Sequence, residues 1–126
     1  MQRFFALILI VLSSAPGFCQ EAEFSIDKPV HKFPKTYEGQ KLEHSYAIRN
    51  TGTVPLIISD YKVACTCTKA FLPEKPILPG ETFLLKVTFD TNGKYDFQDR
   101  IVRLKTNSKK EIEELRFKVK VVPRNE

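Results

Sequence analysis

Apolar and polar residues alternate in short runs from Glu23 onward, with turn residues breaking them at near-regular intervals. This is the two-residue period of half-buried strands, and no stretch carries the three-to-four-residue period of an amphipathic helix. Leu42, His44, Tyr46 and Ile48 fall on one face, opposite Lys41, Glu43, Ser45 and Arg49. Phe83, Leu85, Val87 and Phe89 alternate in the same way with Thr82, Leu84, Lys86 and Thr88. Leu56 to Val63 is rich in β-branched and aromatic residues and reads as another strand. Two longer runs, Phe97 to Thr106 and Ile112 to Val122, flank Asn107-Ser108-Lys109-Lys110-Glu111 and read as the last two strands.

The punctuation agrees. Pro29 and Pro34 bracket Val30 to Phe33, and since proline cannot donate to a ladder this segment is assigned to a sheet edge. Glu38-Gly39-Gln40, Asn50-Thr51-Gly52 and Asp90-Thr91-Asn92-Gly93 are turns, the second assigned to residues that tolerate left-handed backbone. Phe71 to Gly80 holds too many prolines for a central strand and reads as a crossing loop closed by Pro79-Gly80. The sum is an all-β chain of about seven strands, an immunoglobulin-like Greek-key β-sandwich, with a small barrel as the structural alternative.

The first residues follow a different pattern. Met1-Gln2-Arg3, the apolar run Phe4 to Leu12 and the small residues near Gly17 form a secretory signal, since the run is too short to span a bilayer. Residues 1–19 are therefore expected to be a signal peptide and 20–126 the domain. An acylated Cys19 is the lesser reading, because Phe18 stands where lipidation sites carry a small residue. Export to the periplasm or the medium places Cys65 and Cys67 where disulfides persist. No transmembrane segment is expected in the mature chain.

Composition adds little beyond this. The 126 residues carry a formal charge of +5, well short of the dense basic patches of nucleic-acid binders, so no nucleic-acid partner is expected. If the last two strands pair as a hairpin, Arg103, Lys105, Arg116, Lys118 and Lys120 share its outer face as a stripe. That stripe reads first as a charged solvent face with Glu113 and Glu114 nearby, and second as a site for an anionic partner.

Several motifs occur in a familiar order: Phe33 with Glu38-Gly39, His44 through Gly52, Pro55-Leu56-Ile57-Ile58, Cys65-Thr66-Cys67-Thr68, Pro76 through Glu81, and Thr106-Asn107. In this the chain resembles a bacterial family of small exported domains of unknown function marked by Cys-Gly-Cys-Thr. That family's fold is similar to the Ig-like domains of major sperm protein and the ciliary ASH group. The resemblance implies an Ig-like sandwich and, by analogy, a role in binding; it carries no catalytic residue. Thr66 stands where the family has glycine, and Pro34 where a glycine follows Phe33.

The candidate chemistry is the pair Cys65 and Cys67. In an extended strand the two side chains share a face with Cα atoms roughly 6.5 Å apart, so a bridge needs a local turn or bulge. Glycine at the middle position allows that turn, whereas β-branched Thr66 resists positive φ. Four readings are open: buried thiols, a disulfide, Cu(I) capture by two thiolates, and redox catalysis. His31 and His44 lack the local spacing of a zinc site, and His44 sits among apolar residues as a core histidine. No nucleophile elbow and no serine–histidine motif is present, so no catalytic residue is assigned and no cofactor is expected. The function expected is a non-catalytic module that binds a protein or glycan at the cell envelope. The alternative is a periplasmic Cu(I)-binding or thiol-redox protein.

Overall fold

The computed structural model describes residues 20–124; the expected signal peptide and Cys19 lie outside the described residues. Among the described residues nine strands run in the order β1 (Phe24–Ile26), β2 (Val30–Lys32), β3 (Thr36–Tyr37), β4 (Lys41–Asn50), β5 (Ile58–Lys62), β6 (Thr68–Ala70), β7 (Thr82–Asp90), β8 (Asp96–Thr106) and β9 (Ile112–Val122). One sheet has the order β1-β4-β7-β6, and the other β2-β9-β8-β5 with β3 also on β9. There is no helix among the described residues.

The count of nine and the expected seven are reconciled at the N-terminus. Pro29 and Pro34 cut the first strand into three pieces: β1 lies antiparallel to β4, while β2 and β3 lie parallel to β9 in the opposite sheet. Counting those pieces as one strand leaves the seven positions of an immunoglobulin-like sandwich. Both prolines therefore sit at breaks between edge pieces, where a missing N–H disturbs no ladder.

Alternation along the long strands fills the space between the sheets. Tyr46, Ile48, Leu85, Val87 and Phe89 from one sheet meet Val102, Leu104, Leu115, Phe117, Val119 and Val121 from the other, all buried. Each such side chain contributes roughly 1.5–3 kcal/mol by leaving water. The Tyr46 hydroxyl crosses the sandwich and donates to the Arg116 carbonyl at 2.7 Å, so the largest polar group in the core is satisfied. Burial holds its phenol far above the ordinary value near 10.

Three local expectations change. The strand expected over Leu56 to Val63 is regular only from Ile58 to Lys62. Leu56 instead forms an isolated bridge with Ile77, and a register shift follows between Ile58 and Asp60. Thr68–Ala70, unassigned from sequence, is a strand with Thr68 and Ala70 buried, too short to display a period.

The third change concerns Asn50-Thr51-Gly52, where neither Asn50 nor Gly52 has positive φ. Asn50 is fully buried and its amide joins four backbone sites. Its oxygen accepts from the N–H groups of Gly52 (2.9 Å) and Glu23 (3.3 Å), and its nitrogen donates to the carbonyls of Val54 (2.7 Å) and Ile77 (2.9 Å). Gly52 is required by close approach: a Cβ there would stand 2.1 Å from the Glu21 carbonyl oxygen. Buried Asn50 thus ties the N-terminal segment to β4 and the crossing loop.

Candidate functional site

The chain leaves β5 at Lys62 and turns through Ala64 to Cys67 before entering β6. The Thr68 N–H donates to the Cys65 carbonyl at 3.1 Å, closing the turn. Cys65 and Cys67 are joined by a disulfide with their Cα atoms 5.1 Å apart, inside the ordinary range for such bridges. The extended spacing considered from sequence is thus replaced by a turn. Thr66 enters it without positive φ, so the absent glycine is not needed for closure.

The turn has a distinct inside and outside. Thr66 is exposed and both cysteines are half-buried, with Cys67 packed against the core. The Cys67 N–H donates to Cys65 Sγ at 3.2 Å, and the Thr68 hydroxyl lies 4.0 Å from Cys67 Sγ. Cys67 also lines a cleft of about 210 Å³ together with Lys41, Thr66, Lys69, Thr88 and Asp90. Neither lysine has an ion-pair partner among the described residues. Of the four readings, buried free thiols and Cu(I) dithiolate describe the reduced protein, whereas the sulfurs here are bonded to each other.

The two histidines, which sequence spacing kept apart, come together across the sandwich. Their rings stack at 3.6 Å with an interplanar angle of 7°, His31 from β2 and His44 from β4. Phe33 meets His31 edge-on at 4.5 Å, and Tyr46 meets His44 edge-on at 4.7 Å. Burial lowers both histidine pKa values, and His31 lowers that of His44 further. His44 is half-buried against a second imidazole, not enclosed as a lone core histidine. Among the described residues no group of three or more His, Cys, Asp or Glu is placed to hold a metal ion.

The basic stripe exists as a face of the hairpin, but its charges are interleaved. Arg116 makes a two-pronged contact with Asp99 at 2.7 and 2.5 Å, and Arg103 lies 3.4 Å from Glu114. The Arg116 guanidinium holds the Asp99 carboxyl below the usual carboxylate range. Lys120 sits over the Phe97 ring at 5.3 Å, and Lys105 stands opposite Ile112 on one side and Asp60 on the other. Lys118, across from Asp99 and beside Lys32, has no ion pair of its own among the described residues. Glu114 already stands beside the stripe in the sequence, whereas Asp99 is placed against it only by the hairpin register.

A feature that the sequence reading did not single out lies on β7. Its partner β6 covers only Val87 to Phe89, with one further bond from the Phe71 N–H to the Lys86 carbonyl at 2.9 Å. By the two-residue period, Leu84 and Thr82 turn their amide and carbonyl groups to that same side, where no strand is paired among the described residues. Leu84 is 63% exposed and Phe71 49%. Beside this open edge the proline-rich loop stands off to leave a cavity of about 450 Å³ lined by Leu72, Pro76, Ile77, Thr82 and Phe83 among others. The available signal was Leu84 itself, the one large apolar residue on the polar side of the β7 alternation.

The fold has counterparts among solved structures. A protein of unknown function from Porphyromonas gingivalis W83 superposes with a TM-score of 0.70 at 16% identity, over 80% of this chain and 47% of that one. The ASH/PapD-like domain 7 of human CEP192 gives 0.62 at 12% identity, over 98% of this chain and all of that domain. The VesB protease of Vibrio cholerae gives 0.57 at 11% identity, with 80% of this chain covering 31% of the protease. This chain thus spans less than half of the Porphyromonas protein, and likeness at these identities speaks for the fold alone. No curated protein sequence matches. A family match, in contrast, runs along nearly the whole sandwich, from residue 24 to residue 121, and by it the chain belongs to the family described as Protein of unknown function (DUF1573).

Proposed function

We propose that the protein is an exported, non-catalytic binding module that takes an extended segment of a partner protein along the open edge of β7. The observation that carries this is the unpaired ladder at Thr82 and Leu84, flanked by exposed Leu84 and Phe71. An added strand gains backbone hydrogen bonds along that edge, which is the general basis of β-strand addition. Its alternate side chains divide between two environments. Those on the outer face meet Leu84 and Phe71, and those on the inner face enter the cavity beside Leu72, Ile77 and Phe83. Apolar side chains at alternate positions of the partner segment suit both.

The test is the state of the native complex. Leu84→Asp and Phe71→Ser lie on the surface and should leave the thermal midpoint within a few degrees while the tagged protein shifts from complex to free species on gel filtration. A glycan ligand instead predicts that complex formation survives both substitutions and is abolished by glycosidase treatment of the envelope fraction. The alternative of thiol or Cu(I) handling is favoured in its redox form by the observed disulfide, because bonded sulfurs offer no thiolate to a metal.

A further inference from the structure

Independently of the β7 edge, the geometry points to Cys65–Cys67 as a thiol–disulfide exchange site for anionic thiols, with Cys67 the sulfur attacked and Cys65 the sulfur that leaves. Three observations carry the assignment. First, the bridge closes a loop of only three residues, from Cys65 to Cys67. Constraint of so short a loop adds little to stability, so opening the bridge leaves the sandwich core intact.

Second, the two sulfurs differ in their surroundings. Cys67 is among the residues lining the cleft beside Lys41 and Lys69 and is the one of the two that also packs against the core, whereas Cys65 does neither. Cys65 Sγ instead receives the Cys67 N–H at 3.2 Å. When Cys65 carries a thiolate, that contact becomes a charge-assisted hydrogen bond, about twice as strong as its neutral counterpart. The developing negative charge is therefore best accommodated on Cys65.

Third, the approach is positively charged. Lys41 and Lys69 line the cleft without ion-pair partners among the described residues. Of the acids on that face, Asp90 also lines the cleft, opposite Lys41, and accepts the Asn92 N–H at 3.0 Å, so the lining carries two positive charges against one negative; Glu43 stands opposite Thr88 outside it. A thiol bearing a carboxylate or sulfonate is drawn in, and a cationic thiol is repelled. A cleft of about 210 Å³ admits a small thiol or one cysteine side chain.

The chemistry balances in two steps. An incoming thiolate attacks Cys67 Sγ, the Cys65–Cys67 bond breaks, a mixed disulfide forms on Cys67, and the electron pair departs on Cys65 as thiolate. A second thiolate then attacks the incoming sulfur, releasing the oxidised small-molecule disulfide and Cys67 thiolate. Two thiols are oxidised for each protein disulfide reduced, and the reverse sequence reoxidises the pair.

The test uses the full chain with Cys19→Ser, so that only the pair reports. The oxidised protein is challenged at low salt with mercaptoethanesulfonate and with cysteamine, rates are divided by thiolate concentration and by each thiol's rate with an uncharged small-molecule disulfide, and acid-quenched adducts are mapped by mass spectrometry. The expected result is reduction without unfolding, an adduct on residue 67, and a preference for the anionic thiol of roughly 3–10-fold. Lys41→Glu with Lys69→Glu, both exposed positions, should invert that preference. Adducts on Cys65, an absent charge preference, or reduction that proceeds only at the global unfolding rate would each overturn the assignment. All three readouts come from the protein with its native lysines, so they stand even if a lysine variant folds poorly.

Discussion

His31 and His44 stack face to face at 3.6 Å although they belong to strands of opposite sheets. β2 is a three-residue edge strand paired with β9, and this ring pair ties it to the opposite sheet as well. Both histidine pKa values are lowered from the ordinary 6.5, by burial for His31 and by burial and then His31 for His44. A base with a lowered folded pKa binds protons more readily when unfolded. The stability contributed is fully present above about pH 6.5 and is lost as pH falls through the lower folded value. The thermal midpoint should therefore drop on acidification from pH 7.5 to pH 5, and His44→Phe should remove part of that drop. An equal pH dependence in the variant would detach the pair from it.

The cross-sandwich bond from Tyr46 to the Arg116 carbonyl gives a second prediction. Tyr46→Phe keeps the ring and its packing but leaves the acceptor without its donor. The expected loss is about 1–2 kcal/mol in denaturant unfolding at unchanged m-value.

Asn50 and Gly52 should be far less tolerant. Asn50→Ala removes a side chain that satisfies two N–H groups and two carbonyls, and is expected to cost roughly 3 kcal/mol or more. Gly52→Ala must push the segment Glu21 to Glu23 away and should cost about 1–3 kcal/mol. Equilibrium unfolding of the two variants reads both values directly.

The disulfide should matter little to folding. Loop-closure arithmetic for a three-residue loop gives about 1.6 kcal/mol, against about 3 for fifteen residues. Reduced protein, or Cys65→Ser with Cys67→Ser, should remain folded at 37 °C with a modestly lower midpoint. Global unfolding on reduction would make the bridge a staple of the fold.

What the sequence disclosed follows the range of the interactions. Phe83 to Phe89 and the final hairpin were legible because their alternation is local and their cores continuous. Asn50-Thr51-Gly52 reads as a turn, and the Asn50 bonds to Gly52 and Val54 are local enough to agree, but its partners Glu23 and Ile77 are each 27 residues away and leave no local trace. The histidine stack and the Asp99–Arg116 pair depend on strand register between distant segments. At the candidate site the thiol pair was visible at once. The turn that bridges it, and the lysines that face it, appear only when β4, β6 and β7 are brought side by side.

The proposed function rests on the open edge of β7, and site-specific photo-crosslinking in cells that make the protein tests it most directly. A photoreactive residue at position 84 or 71 should yield a discrete adduct with a partner protein, whereas one at position 105 or 118, on the opposite sheet, should yield none. Adducts from 105 or 118 with none from 84 and 71 would contradict the account and move the binding face to the basic hairpin.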